Sequence, residues 1–210
     1  MIDLDKSDGL WTVTLNRPDK ANSLTRTMLE DLVAIAQDAT EARALVLTGR
    51  GKVFSAGADL DEAKAGLAVS DLWERLSGAI ADLPCLTIAA LNGTLAGGAT
   101  GMALACDLRI GVGTARFFYP VMKLGFLPQP SDPRRMAALI GPSRTKLILM
   151  AGQKINATEA YQFGLLDQIV EPDALMETAK ALAADSLAAK PEIAAGIAAL
   201  CASSGQAVQK

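Results

Sequence analysis

Two glycine-rich turns are the stretches of this 210-residue chain whose residue types and order could do chemistry. They are Phe54-Ser55-Ala56-Gly57-Ala58-Asp59 and Asn92-Gly93-Thr94-Leu95-Ala96-Gly97-Gly98. Each follows an apolar run that reads as a buried strand, 44–47 and 86–91, and each leads into a helix-like segment. Such a turn leaves backbone N–H groups unpaired at the start of the next helix. Two of them aimed at one point form an oxyanion hole, because fixed N–H dipoles there favour negative charge developing on an acyl oxygen. The chain contains no histidine. That removes Ser-His and Cys-His pairs, His-containing zinc sites and the facial triad of non-haem iron, so no metal site is expected. Any acid or base must be Asp, Glu, Lys, Tyr or Cys.

The elements that position these turns are legible in the apolar pattern. Half of the residues are apolar, enough for one substantial core and a helical appendage. Residues 2–16 read as two strands joined at Ser7-Asp8-Gly9, with Leu10, Val13 and Leu15 pointing inward. A loop, 16–22, precedes a helix that Thr25 can cap and that carries Met28, Leu29, Leu32, Val33 and Ala36 on one face. Two helical pieces come after the first turn, the second containing Leu72, Leu76 and Ile80. After the second turn, 98–105 reads as helix and 107–112 as strand. Beyond about residue 130 the strand signals fade and helices are expected over 133–140, 143–151, 158–163 and 172–189, with a further one from Pro191. Asn156 and Glu159 form a capping-box pattern, and Gly164 is a helix stop.

A net charge of −3 gives no global field toward nucleic acid or an anionic membrane, so an anionic ligand must be met by local cations. Cys85, Cys106 and Cys201 are few, odd in number and set in apolar segments, which points to buried thiols in a reducing compartment. The N-terminus lacks a signal-peptide pattern, and no apolar run of about twenty residues can span a bilayer. The expectation is a soluble cytoplasmic protein without a membrane span or a nucleic-acid partner.

Five stretches carry a family resemblance: 15–24 (Leu-Asn-Arg-Pro-Asp-Lys-Ala-Asn-Ser-Leu), 47–60 with its Phe54-Ser55-Ala56-Gly57-Ala58-Asp59-Leu60, 92–98, Cys106-Asp107-Leu108-Arg109, and 157–167. In these the chain resembles the enoyl-CoA hydratase/isomerase, or crotonase, superfamily over about residues 1–190. The resemblance implies an α/β fold, the crotonase-like (ClpP/crotonase) spiral of ββα units followed by a C-terminal helical trimerisation region. With the strand-then-helix division of the chain, the expected parts are a spiral acyl-CoA-binding core, 1–130, a helical association region, 131–202, and a disordered tail, 203–210. The resemblance implies a homotrimer or a hexamer built as a dimer of trimers. It also implies an acyl-CoA thioester as ligand, with coenzyme A as part of the substrate and no permanently bound cofactor. The oxyanion donors fall on Ala58 and Gly98.

The same resemblance places two hydratase glutamates where this chain has Gly101 and Val121, neither of which can orient water. A third position, an aspartate in some members, falls on Gln129. Each positioned acid or base contributes roughly 10²–10⁴ in rate, so ordinary two-glutamate hydration is not expected. The resemblance therefore implies an acyl-CoA-binding protein that stabilises a thioester enolate through Ala58 and Gly98. The alternative is a non-catalytic acyl-CoA-binding or assembly subunit. A protease of the same spiral fold would need a serine-histidine pair, which this chain lacks.

Glu62, Tyr119 and Asp132 are the candidate proton carriers, and two have a plainer reading: Glu62 as part of a solvated helix face, Asp132 as a helix cap before Pro133. Tyr119 requires a pocket that shifts its pKa. Arg134 and Arg135 either bind an acyl carboxylate or pair with acids at a subunit contact. For coenzyme A, Arg17, Lys20, Arg50 and Lys52 supply loop cations, and by resemblance the Ala56 and Leu60 backbone meets the adenine or pantetheine arm. Asp59 either belongs to that site or caps its helix. Asp107 and Arg109 are expected to form a structural ion pair.

Overall fold

Asp8 and Gly9 begin the fold with positive φ values of 52° and 84°, as a two-residue type I′ hairpin requires. They join β1 (Ile2–Ser7) to β2 (Leu10–Leu15) as an antiparallel pair. Leu10, Val13 and Leu15 are buried, as expected, together with Trp11. Then comes α1 (Arg26–Asp38), whose first turn is capped by Thr25 accepting the Met28 N–H at 3.2 Å and whose buried face is the expected five residues.

A computed structural model describes residues 1–204, in which two sheets share the work. Long strand β3 (Ala44–Gly49) is followed by short β4 (Val53–Ser55) and then α2 (Leu60–Lys64) and α3 (Leu72–Ala81). Long β5 (Leu86–Leu91) is followed by short β6 (Thr94–Ala96), a 3₁₀ turn over Gly97–Ala99, and α4 (Thr100–Ala105). Long β7 (Leu108–Val112) is followed by β8 (Arg116–Phe118) and α5 (Val121–Leu124). This is a ββα unit run three times. The long strands pair in parallel from β2 through β3 and β5 to β7, and their near-continuous apolar sequences reflect burial on both faces. The short strands form a separate sheet of their own.

The C-terminal half contains more strand than its sequence suggests. After α6 (Asp132–Leu149), β9 (Ile155–Asn156) pairs antiparallel with β8. After α7 (Ala157–Phe163), β10 (Gln168–Val170) extends the long sheet parallel to β7. These strands are two and three residues long, too short for a period-two pattern to register. The expected split of α6 is real: Gly141 has φ 80° and ψ 160°, and Pro142 restarts the helix. The capping box at Asn156 and Glu159 forms in both directions, and Gly164 ends α7 at φ 89°. The chain closes with α8 (Leu175–Ala188) and α9 (Pro191–Ser204). Ser203 and Ser204 are therefore helical, and the rest of the expected tail, 205–210, lies outside the described residues.

Two further expectations are corrected. Arg109 pairs with Asp167 at 3.3 Å and donates to the carbonyls of Cys106 and Leu165, whereas the Asp107 carboxylate accepts from the Thr87 N–H and O–H at 2.8 Å each. Each carboxylate finds its partner across the sheet rather than two residues along the chain. Cys201 is exposed, unlike Cys85 and Cys106, because the part of α9 that carries it does not enter the core. Among the described residues no helix is long and apolar enough to cross a membrane.

Candidate functional site

The site is assembled from the loop before α1. Ala21 and Asn22 both adopt left-handed backbone, φ 51° and 50°, a conformation Asn tolerates better than most residues. This turns the Asn22 side chain inward, where it is wholly buried. Its Oδ1 accepts from the Arg17 N–H at 2.8 Å, and its Nδ2 donates to the carbonyls of Arg50 and Val53 at 2.9 and 2.7 Å. The Asn22 carbonyl accepts from the Ser55 hydroxyl at 2.8 Å, and Ser55 Oγ in turn accepts the Gly57 N–H at 3.1 Å. One residue thus ties the loop to the first glycine turn.

Leu24 completes that attachment. Its N–H donates to the Gly57 carbonyl at 2.8 Å and its carbonyl accepts from the Asp59 N–H at 2.9 Å. In such a parallel bridge the residue between, Ala58, points its own N–H to the opposite side. The second turn presents Gly98 in the first turn of a short helix, where N–H groups have no intrahelical acceptor. Neither N–H is among the donors to protein acceptors in the described residues, and both residues are half-buried.

The two turns touch. A Cβ on Gly57 would stand 2.9 Å from the Ala96 carbonyl oxygen and 3.3 Å from Gly97 Cα, so only glycine backbones approach this closely. Gly57 and Gly97 also have φ of 91° and 59°. Asn92 pins the second turn to the first unit: its Oδ1 accepts the Gly49 N–H at 3.0 Å and its Nδ2 donates to the Gly51 carbonyl at 2.9 Å. Behind Gly98 lies the Trp73 ring, 3.1 Å from where a Cβ would be, held by its indole N–H donating to the Leu67 carbonyl at 2.7 Å. N–H donors on abutting turns hold charge on one acyl oxygen when they converge on it.

One turn of helix beyond Gly98 is Gly101, and against it sits Asp132. A Cβ on Gly101 would lie 2.7 Å from Asp132 Oδ1. Asp132 is 0% exposed; its Oδ2 accepts the Tyr119 hydroxyl at 3.0 Å, and its Oδ1 has no hydrogen-bond partner. Burial pushes this carboxyl up to about 7; the Glu74 charge adds to the rise, while the Tyr119 hydrogen bond and Arg135 oppose it. Burial, and then the Asp132 charge, also pushes the Tyr119 phenol up. Nearby, Glu74 accepts from the Ser131 N–H and hydroxyl, and Arg135 donates to Ser77 and Ser131.

Comparison with known proteins reveals what this architecture is. A family model described as enoyl-CoA hydratase/isomerase matches residues 5–205. The chain belongs to the enoyl-CoA hydratase/isomerase family. It is 35% identical over 193 residues to the short-chain-enoyl-CoA hydratase of Clostridium acetobutylicum, covering 86% of this chain and 72% of that protein. It is 34% identical over 191 residues to the crotonyl-CoA hydratase of Syntrophomonas wolfei, covering 87% and 74%. The crystal structure of an enoyl-CoA hydratase from Bacillus anthracis superposes with a TM-score of 0.90 at 30% identity, covering 98% of this chain and 83% of that one. The fold is the crotonase fold.

Within this family member the remaining candidates separate by what they touch. Asp59 caps α2 by accepting the Asp61 N–H at 3.1 Å and pairs with Arg17 at 2.8 Å; that hydrogen bond holds its carboxyl below the usual range. Arg17 also donates to the Ser23 carbonyl and hydroxyl, so its Nη1 braces the loop. Glu62 accepts the Arg26 N–H at 2.6 Å, which caps α1 from a neighbouring element. Ala56 and Leu60 are exposed beside the first turn, and Lys20 and Lys52 are exposed with no ion pair among the described residues. Arg50 pairs with Asp3 at 3.1 Å. Asp132 does not fill the cap position before α6, which Ser131 takes; its side chain turns to Tyr119. Val121 is buried, and Lys123 and Arg134 are exposed. Burial raises the Cys85 and Cys106 thiols to about 11 and about 12, leaving them poor nucleophiles. The roles of Asn22 and Glu74 are not legible in the sequence: nothing in their local pattern reports partners contributed by distant segments.

Proposed function

We propose that this protein binds acyl-CoA thioesters and holds an enolate oxygen between the N–H groups of Ala58 and Gly98, in a reaction other than two-glutamate hydration. The observation that supports this is the contact of Gly57 with Gly97, which brings the two glycine turns together. The residues at the positions compared with glutamates, Gly101 and Val121, carry no acid. Isomerisation, decarboxylation and thioester cleavage all pass through charge on that oxygen. Coenzyme A arrives with the substrate, and Lys20, Lys52 and the Ala56 and Leu60 backbone are the groups proposed to meet it. We place Arg17 and Asp59 in the supporting shell of the same site. Assembly as a homotrimer or a pair of trimers belongs to this reading; Ile193 and Ile197, one turn apart on α9, are 55% and 58% exposed.

A second reading, a non-catalytic acyl-CoA binder, is supported by Val121, a buried apolar residue at a position that the resemblance compares with a glutamate. Calorimetric titration with but-2-enoyl-CoA beside a hydration assay tests the pair. Binding with hydration slower by at least about 10² than in a glutamate-bearing relative is the expected result. Rapid hydration refutes the exclusion of water addition, and absence of binding refutes the thioester reading.

A further inference from the structure

We propose that Asp132 is the general base of this site, reaching the substrate from α6 across the bare face of Gly101. The inference rests on the enolate reading above. Two observations, one on α6 and one on α4, carry it. Asp132 is wholly buried and its Oδ1 is unpartnered, an arrangement that a purely structural carboxylate avoids by finding a donor. That oxygen lies against Gly101, three residues, or about 5 Å of helical rise, beyond Gly98. For the transfer to occur, the carbon next to the thioester carbonyl, two bonds from the held oxygen, has to lie in that interval. The absence of a side chain at 101 is what admits the carboxylate: a Cβ there would clash at 2.7 Å.

The other candidates are engaged elsewhere. Glu62 is held by the Arg26 N–H, and Tyr119 spends its proton on Asp132 Oδ2. The step balances without a co-reactant. Asp132 as carboxylate removes a proton from the α-carbon; the C–H electron pair becomes the enolate C=C, and the carbonyl pair moves onto the oxygen held by Ala58 and Gly98. The carboxyl returns the proton to the α-carbon or, in a β,γ-unsaturated acyl group, to the γ-carbon, which brings the double bond into conjugation. Asp132 is closed off from solvent, so contact with the α-carbon requires the packing in front of Gly101 to yield, and the proton then taken is screened from water and given back.

The groups facing Asp132 are Tyr119 from the segment after β8, Glu74 from α3 and Arg135 from α6. The reactive form is the carboxylate, so the rate rises with pH through its titration near 7. Removing the Tyr119 hydrogen bond, which lowers this pKa, moves the midpoint upward.

The test uses but-3-enoyl-CoA, followed by calorimetry for binding and by ultraviolet absorbance for conversion to the conjugated ester. Asp132→Asn is expected to slow conversion by about 10²–10⁴ while affinity changes by less than about threefold. In D₂O, most of the product of the parent protein should keep the original hydrogen. Tyr119→Phe should shift the pH midpoint upward, a readout independent of whether the Asn variant folds. Conversion by Asp132→Asn at the parental rate, an unmoved midpoint in Tyr119→Phe, or binding by the parent protein without any conversion each overturns the proposal. Failure of the parent protein to bind the ester refutes instead the reading on which it rests.

Discussion

Asn22→Ala tests whether the first glycine turn is held from the loop before α1. The side chain makes three hydrogen bonds, to the Arg17 N–H, the Arg50 carbonyl and the Val53 carbonyl, from a fully buried position. A hydrogen bond contributes about 1 kcal/mol net, and an orphaned buried partner costs more. The Val53 carbonyl keeps a second donor, Asn92 Nδ2 at 3.3 Å, so its loss is softened. The sum is about 3 kcal/mol, and at about 2–4 °C per kcal/mol for a chain of this size the melting temperature should fall by about 6–12 °C. Because Ser55 bonds the Asn22 carbonyl and Gly57 bonds Ser55, but-2-enoyl-CoA affinity should fall as well. Asn22→Asp is the internal control. It keeps the acceptor for Arg17 but sets a carboxylate against two carbonyl oxygens, so at pH 7 it should be no more stable than the Ala variant. Calorimetric scans at one protein concentration and ester titration measure both effects. A loss under about 1 kcal/mol with unchanged affinity refutes the proposed tie.

The close contacts and the buried carboxylate set three further outcomes. Gly93→Ala places a Cβ 2.0 Å from the Lys52 carbonyl oxygen, an overlap that only a backbone shift relieves, so it should cost at least about 1–3 kcal/mol by denaturant titration. Gly98→Ala presses on the Trp73 ring at 3.1 Å and should weaken ester binding, and Trp73→Leu should restore part of it; equal affinity in Gly98→Ala and parent counts against the role of that turn. Asp132 carries a raised folded-state pKa, about 7 against 3.8 for the unperturbed group, so between these values the folded chain holds a proton that the unfolded chain has lost. Its contribution is full below the lower value and lost as pH rises through the higher. From pH 5 to 7 the parent should lose about 2–3 kcal/mol relative to Asp132→Asn, read from melting temperatures across that range.

Local signals are strong where a single stretch of chain meets its own requirements. The hairpin at Asp8-Gly9, the Thr25 cap, the buried face of α1, the capping box at Asn156 and the break at Gly141 all depend on neighbours within a few residues. The short strands β9 and β10 are hidden because a two- or three-residue strand is defined by its partner, β8 or β7, and not by its own periodicity. The Arg109 pair goes to Asp167 for the same reason.

The sequence by itself determined that two glycine turns would end strands and open helices, and that no histidine and no acid at 101 or 121 would serve them. Residue type and spacing set these properties, because φ freedom, steric size and ionisable groups belong to each residue wherever it lies. Only the tertiary structure decided that Gly57 would touch Gly97, that Asn22 would brace the first turn, and that Asp132 would sit unpartnered against Gly101. Those facts depend on distances between elements far apart in the chain. The packing of the sheets and helices sets those distances, and with them the burial that raises the Asp132 pKa.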